Sequence, residues 1–196
     1  MRIVGIVGSA NARGATATLV DAVVSRAGAV GPHETDVIAL ADFELAFADG
    51  TKAEAQTGDT RAVLERLEAG DAFVLGTPMY RASYSGVLKN LLDLVSRGRW
   101  DGAAKPLEAR AVGVVATGAS LHHFLGLEPL IAVLVNFFSA YVVPPGLYAT
   151  SDQVDTTGQV RDPELARRLQ QLAEALVALT RAIGRDDALQ RPTPQI

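Results

Sequence analysis

The chain contains no cysteine and only three histidines among its 196 residues. The lack of cysteine excludes disulfide bonds, and so few strong metal ligands predict a protein without a metal site. An excess of basic charge is also absent, because 18 lysines and arginines stand against 22 aspartates and glutamates, for a formal net charge of −4. Without a basic field, we expect no nucleic-acid partner.

Long apolar runs are missing as well. The opening residues 1–4 form too short an apolar run for a signal peptide and fit a strand better. No uninterrupted apolar run reaches the length of about 20 residues that a membrane-spanning helix requires. We therefore expect a cytoplasmic protein with no membrane partner.

The chain does contain 48% hydrophobic residues, arranged in short apolar runs that alternate with amphipathic stretches. Periodicity predicts helices at residues 60–69 and 163–183, and further helices after Thr18 and Gly86. The high apolar content of residues 122–140 predicts another helix there. The predicted strands are residues 3–7, 36–40, 72–75, 111–116 and 141–143, with 147–149 as an extension of the last strand.

This βαβ alternation is typical of a parallel, doubly wound sheet with helices on both faces. The five strands fit the order 2-1-3-4-5, in which ligands bind at the switch point beside strands 1 and 3. We predict an α/β, flavodoxin-like three-layer sandwich. Residues 1–185 would form a single domain, and residues 186–196 a flexible tail.

The most informative segment, residues 76–86, follows the third predicted strand. It is polar and aromatic, and it runs directly into an amphipathic helix. Pro78 restrains one backbone angle and Gly86 permits unusual ones, while Tyr80 and Tyr84 offer flat surfaces with a polar end. The segment therefore predicts a loop that holds a flat, polar ligand.

A second junction, residues 8–18, lies between the first strand and the first helix. Its small and hydroxylated residues suit an anion, because free N–H groups and the positive end of the helix dipole point outward there. Ser9, Thr16 and Thr18 can add hydroxyl groups, and Arg13 a charge. The glycine spacing matches neither a Walker loop nor the dinucleotide fingerprint. By itself this junction fits either an anion site or an ordinary capped turn.

Together the two junctions resemble the NADPH-dependent FMN reductase family, which has a flavodoxin-like fold. Residues 77–86 are most similar to the flavin reductases of two-component sulfonate monooxygenase systems. The similarity extends over about residues 1–150 and is carried by Gly8-Ser9, Pro78-Met79-Tyr80, Ser85-Gly86, Leu88-Lys89, Leu92-Asp93 and Thr117-Gly118.

The resemblance implies hydride transfer from NADPH or NADH to FMN, with reduced flavin supplied to a monooxygenase component. The flavin carries this chemistry, so we predict no catalytic acid or base. The phosphate would lie on the first junction, the ring against residues 78–81 and its polar edge toward residues 117–119. The family usually carries arginine where Asn11 stands, and we expect Arg13 to replace it. The predicted FMN contacts are Ser9, Asn11, Arg13, Ala15, Thr16, Thr18, Pro78, Met79, Tyr80, Arg81, Ser83, Thr117, Gly118, Ala119 and Ser120.

The sequence leaves two other functions open. The first is a flavoprotein that retains its FMN and reduces quinones, azo dyes or metal oxyanions directly. The second is a flavodoxin-like electron carrier without pyridine-nucleotide activity. The modest negative charge argues against the carrier, because carriers usually dock through a strongly acidic face.

Residues 122–140 predict a helix that is apolar on most of its surface. Such a helix must be covered on more than one side, which predicts a subunit interface. The resemblance implies a homotetramer, with a homodimer as the alternative. Some related reductases carry one inserted residue here that is associated with easy flavin transfer. Residues 126–129 lack that insertion, which keeps the FMN-retaining alternative open.

Overall fold

The computed structural model describes residues 1–96, 104–150, 152–154 and 159–192. The strands are β1 (Arg2–Val7), β2 (Glu34–Ala39), β3 (Ala72–Pro78), β4 (Ala111–Gly118), β5 (Tyr141–Val142) and β6 (Leu147–Thr150). The α-helices are α1 (Ala15–Ala29), α2 (Gly58–Glu68), α3 (Gly86–Leu94), α4 (Glu128–Phe138) and α5 (Pro163–Ile183). Short 3-10 helices occupy Leu40–Asp42, Ala53–Ala55 and Leu121–Leu127.

The sheet is parallel, with the order β2-β1-β3-β4-β5, which confirms the predicted order. The fifth position is shared by two short strands, because β5 pairs with the start of β4 and β6 pairs with its end. Residues 143–146 separate them, and they include Pro144 and Pro145. Proline cannot donate to a sheet and is tolerated at an edge, so the interruption falls on the edge strand.

Helices α2, α3 and α4 pack on one face of the sheet, and α1 and α5 pack on the other. All seven residues of β3 are buried, as expected for a strand covered on both faces. The first helix approaches β3 closely, since a Cβ atom at Gly76 would lie 2.3 Å from Cγ2 of Val20. The beginning of α1 is therefore held near the carboxyl end of β3.

The prediction of one continuous helix over residues 122–140 is wrong. Residues Leu121–Leu127 form a 3-10 helix, and α4 begins only at Glu128, with Pro129 in its first turn. Proline suits that position because it has no N–H group and its φ angle is already helical. The window Leu121–Phe138 is apolar enough to cross a membrane by length and composition, with a mean hydropathy of 1.5. The α-helical part has only 11 residues, however, against the roughly 20 that a span requires.

Much of the apolar surface of this segment is uncovered. Leu130, Leu134 and Phe138 face the sheet and are buried. The exposed apolar residues of the segment are Leu121, Phe124, Leu125, Val135 and Phe137. Phe138 thus belongs to the core of its own chain, whereas the side chains of Val135 and Phe137 are exposed.

A carboxylate on β2 ties together β1, β2 and α2. Asp36 accepts hydrogen bonds from Arg66 of α2 at 2.5 and 3.0 Å, and from Arg2 of β1 at 2.8 Å. The hydrogen bond from Arg66, assisted by Arg2, holds the pKa of the Asp36 carboxyl below its usual value.

We expect Asp36→Asn to lower the free energy of unfolding by about 1–2 kcal/mol at pH 7, since charge-assisted hydrogen bonds are lost and solvent screens the rest. A lowered folded-state pKa stabilises the protein above the unfolded value near 4, and this contribution is lost as the pH falls through the folded pKa. The difference between wild type and variant should therefore be constant from pH 6 to 8 and shrink below about pH 4. Urea titrations across this range measure it, and a pH-independent difference would contradict the assignment.

Candidate functional site

Three loops meet at the carboxyl edge of the sheet: the first loop (residues 8–14), the second loop (residues 79–85) and the third loop (residues 117–120). The Gly8 N–H donates to the carbonyl of Gly76 at 2.8 Å. Ser85 Oγ donates to the Gly8 carbonyl at 2.5 Å, and the Met79 N–H donates to the Thr117 carbonyl at 2.7 Å. Direct hydrogen bonds thus connect the second loop to both of the others.

The first loop is shaped by its own polar groups. The Asn11 N–H donates to Ser9 Oγ at 3.1 Å, and the Arg13 N–H donates to Asn11 Oδ1 at 3.1 Å. Helix α1 then begins at Ala15, and no side chain caps it. Its first N–H groups, together with the helix dipole, form a surface that suits an anion such as a phosphate.

Two threonines of α1 have different surroundings. Thr16 is buried, and its hydroxyl lies 2.7 Å from the hydroxyl of Thr117 in the third loop. Thr18, two residues further along, lines a separate depression on the outer side of α1 with Asp21. Arg13 borders the same depression. The structure therefore brings Thr16 to the three loops, whereas Thr18 turns toward the outer side of the helix.

The second loop contains a tight turn. The Tyr80 N–H donates to the Ser83 carbonyl at 2.9 Å, and the Ser83 N–H donates to the Tyr80 carbonyl at 3.1 Å. Both central residues have positive φ angles, 54° at Arg81 and 60° at Ala82, as in the two-residue turns of β-hairpins. The Tyr80 side chain is 57% exposed. A planar ligand can therefore reach its ring.

The 3-10 helix Leu121–Leu127 supports this turn from behind. A Cβ atom at Gly126 would lie 2.5 Å from Sδ of Met79 and 3.3 Å from the carbonyl oxygen of Ala82. The Met79 side chain is accordingly buried, so only its backbone can face a ligand. Pro78 ends β3 directly before it and is buried as well.

Left-handed backbone angles cost a non-glycine residue about 1–2 kcal/mol. We therefore expect Ala82→Gly to raise the free energy of unfolding by about 1 kcal/mol and the melting temperature by about 2–4 °C. Ala62→Gly is the matched control, because Ala62 is exposed within α2, where glycine should destabilise by about 0.5–1 kcal/mol. Thermal unfolding of the apoprotein measures both changes, and a loss of stability in Ala82→Gly would contradict the strained turn.

The third loop has a partner that the sequence did not reveal. Tyr148 of β6 donates a hydrogen bond from its hydroxyl to the Ser120 carbonyl at 2.7 Å, and Ser120 Oγ lies 3.2 Å from Nδ1 of His122. Burial raises the pKa of Tyr148 above its usual value, so the hydroxyl keeps its proton. Ala119, in contrast, is exposed.

Thr77 and Ser85 are further residues that the predicted site omitted. The Ser85 N–H donates to Thr77 Oγ1 at 2.9 Å, and Ser85 Oγ accepts from the Leu88 N–H at 3.1 Å. Ser85 thus caps α3 while it also bonds to the first loop. A serine before the first helical glycine, Gly86, is a typical helix start, so the cap was detectable, but its contact with Gly8 was not.

The three loops together suit a planar ligand that carries a phosphate. They combine an uncapped helix start, several hydroxyl groups and the accessible ring of Tyr80. None of their residues is a histidine, aspartate or glutamate, so no side chain within them is suited to proton transfer near neutral pH. Such a site is typical of proteins in which the bound cofactor carries the chemistry.

Comparison with known proteins identifies a family that this chain matches. A model of the NADPH-dependent FMN reductase family matches residues 1–155. An NAD(P)H-dependent FAD/FMN reductase of Geobacillus thermodenitrificans is 32% identical over 178 residues, which cover 90% of this chain and 92% of the relative. The NADH-dependent FMN reductase SfnF of Pseudomonas putida is 28% identical over 179 residues, which cover 91% of this chain and 92% of the relative.

Solved structures establish the fold. The apo form of the NADH:FMN oxidoreductase EmoB aligns with a TM-score of 0.75 at 21% identity, over 97% of this chain and 94% of that chain. Flavodoxin 1 of Bacillus cereus aligns with a TM-score of 0.59 at 16% identity, over 91% of this chain and 98% of that chain. The predicted flavodoxin-like fold is thereby confirmed. Since the family model covers well over half of the sequence, the chain belongs to the NADPH-dependent FMN reductase family.

Proposed function

We propose that this protein binds FMN at the three loops, reduces it with NADH or NADPH and delivers the reduced flavin to a monooxygenase. The observation that carries the proposal is the uncapped start of α1 beside the turn that presents Tyr80. An anionic group and a flat ring of one ligand can occupy these two features together.

Each loop has a separate part in this proposal. The N–H groups at the start of α1, with Ser9 and Arg13, hold the phosphate. The ring lies against residues 78–81, and its polar edge lies toward residues 117–120. Bound FMN supplies the hydride chemistry, and the protein contributes stacking and orientation of the two ligands.

Support for delivery to a monooxygenase comes from sequence similarity. The SfnF relative is an NADH-dependent FMN reductase, and residues 77–86 resemble the reductases of sulfonate monooxygenase systems. Helix α4 is regular from Glu128 to Phe138, which leaves an FMN-retaining reductase of quinones or azo dyes as the second candidate.

Steady-state kinetics separates these functions. The absorbance of the purified protein shows whether flavin is retained, and NADH or NADPH oxidation is then followed with increasing FMN. Saturation with FMN as a substrate supports delivery of reduced flavin. Tightly held FMN with quinone turnover supports the second candidate. If NAD(P)H is oxidised with neither acceptor, the electron carrier is the remaining function.

Tyr80→Ala should lower the turnover number strongly and the melting temperature of the apoprotein only slightly, because an exposed loop aromatic serves the ligand rather than the core.

The exposed apolar residues of α4 and the preceding 3-10 helix support a proposal on assembly. We propose a homotetramer built as a dimer of dimers, with a dimer as the alternative. Exposed apolar patches of this kind are typical of contact surfaces between proteins.

We also propose a cytoplasmic location, because the proposed reaction uses FMN and NADH or NADPH, which are water-soluble.

Val135→Asp should dissociate the assembly. Val135 is 45% exposed on α4, and a desolvated, unpaired charge at an apolar contact costs several kcal/mol. Ala62→Asp on the exposed side of α2 is the control and should leave the assembly intact. Light scattering measures the molar mass of each variant, and a monodisperse monomer for the wild-type protein would refute the proposed interface.

A further inference from the structure

The pairing of β6 with β4 brings a tyrosine to the third loop. In this parallel ladder Ala116 is opposite Tyr148, and Gly118 is opposite Thr150. Tyr148 is only partly buried, and its hydroxyl end reaches along β4 to the strand's last residue. The side chain therefore lies behind the loop against which the polar edge of the flavin is placed.

The space beside Gly118 is filled by this tyrosine. A Cβ atom at Gly118 would lie 2.0 Å from the Tyr148 hydroxyl oxygen and 3.0 Å from its Cζ. Both distances are shorter than an ordinary contact between such atoms. A glycine in a ligand-binding loop usually admits the ligand, but here the same space is already occupied by a side chain of the protein.

The hydroxyl also sets the direction of the loop that follows. It donates to the Ser120 carbonyl at 2.7 Å, and Ser120 in turn lies next to His122 at the start of the 3-10 helix. That helix supports the strained turn of the second loop through Gly126. One tyrosine hydroxyl is thus connected to both loops that would surround the flavin ring.

We propose that Tyr148 is a positioning residue for FMN, and that position 118 is glycine to accommodate Tyr148 rather than the flavin. The proposal rests on the placement of FMN at the three loops. Tyr148 acts by holding the Ser120 carbonyl, and therefore the backbone of residues 118–120, in one conformation.

A double-mutant cycle tests the proposal through FMN titration. Tyr148→Phe removes the hydrogen bond and should raise the dissociation constant for FMN about three- to tenfold. Gly118→Ala pushes the hydroxyl away from Ser120 and should have an effect of similar size. If both changes act through the same contact, the dissociation constant of the double variant is no higher than that of the single variant that binds FMN less tightly. Tyr141→Phe, on the neighbouring strand β5, is the control and should leave the dissociation constant unchanged.

Several results would overturn the proposal. Multiplicative losses in the double variant would show that Gly118 serves the flavin directly. An unchanged FMN dissociation constant in Tyr148→Phe, with a lower melting temperature, would show a purely structural role. The absorption spectrum and midpoint potential of bound FMN should shift in Tyr148→Phe and not in Tyr141→Phe, which separates positioning from stability. If wild-type protein binds no FMN, the proposed function itself fails, and this result is distinct from the others.

Discussion

Replacing Ser85 by alanine is expected to lower the free energy of unfolding by about 2–4 kcal/mol, and the melting temperature by about 4–16 °C. The hydroxyl caps α3 through the Leu88 N–H and bonds to the Gly8 carbonyl across the switch point. Loss of a cap costs about 1 kcal/mol. The buried Gly8 carbonyl, deprived of its donor, adds about 1–3 kcal/mol.

Ser25→Ala is the matched control, because Ser25 is exposed on α1, and its replacement should change stability by less than about 0.5 kcal/mol. Chemical denaturation of the apoprotein measures both variants. The Ser85 variant should also bind FMN more weakly, since the first and second loops lose their side-chain connection. Equal stability of the two variants would mean that this connection contributes little.

Replacing Arg13 by alanine is expected to raise the dissociation constant for FMN about ten- to a hundredfold. A charge-assisted hydrogen bond contributes about 1.5–3 kcal/mol, which corresponds to that range. Arg13 stands at the start of α1, where the helix dipole and the free N–H groups already favour a phosphate. Its side chain is the only charged one within the first loop.

Arg185→Ala is the control for general charge effects. Arg185 is exposed and closely follows α5, whose last residues line a depression with Met1 and Asp71 at the opposite edge of the sheet from the three loops. Its replacement changes the net charge equally and should leave FMN affinity within about twofold, because screening weakens charges more than about 10 Å away. Riboflavin, which has no phosphate, should bind both variants alike. An equal loss for both variants with FMN would place the phosphate elsewhere.

The junctions at residues 8–18 and 76–86 could be predicted from the sequence because their signals are local. The strand before Gly8 and the helix that contains Leu19 and Val20 are visible in the spacing of apolar residues, as are those around residues 76–86. The exact start of α1 at Ala15 was not visible. Alternation of strands and helices leaves few arrangements of a parallel sheet, so the strand order could also be predicted. The last helix, Pro163–Ile183, was predicted with its observed bounds, since a leucine stripe and a starting proline mark it.

The apolar segment of residues 122–140 shows the limit of such signals. Hydrophobic content predicted a helix, but content does not specify which hydrogen-bond pattern the backbone adopts. Pro129 cannot donate a hydrogen bond, so it favours a helix start at Glu128 over a continuous helix. The preceding residues form a 3-10 helix, in which Gly126 approaches Met79 and Ala82 of the second loop too closely for a side chain.

The sequence by itself determined the fold class and the positions of the three loops between strands and helices, because both depend on patterns within about ten to twenty residues. The small number of arrangements open to a parallel sheet then determined the strand order. Only the tertiary structure decided how the loops are held together. Ser85 and Gly8 are 77 positions apart, and Thr16 and Thr117 are 101 apart, so no local pattern connects them. Tyr148 reaches Gly118 only because an interrupted edge strand pairs with the end of β4. Such contacts depend on the distance between elements after packing, which a one-dimensional pattern does not contain.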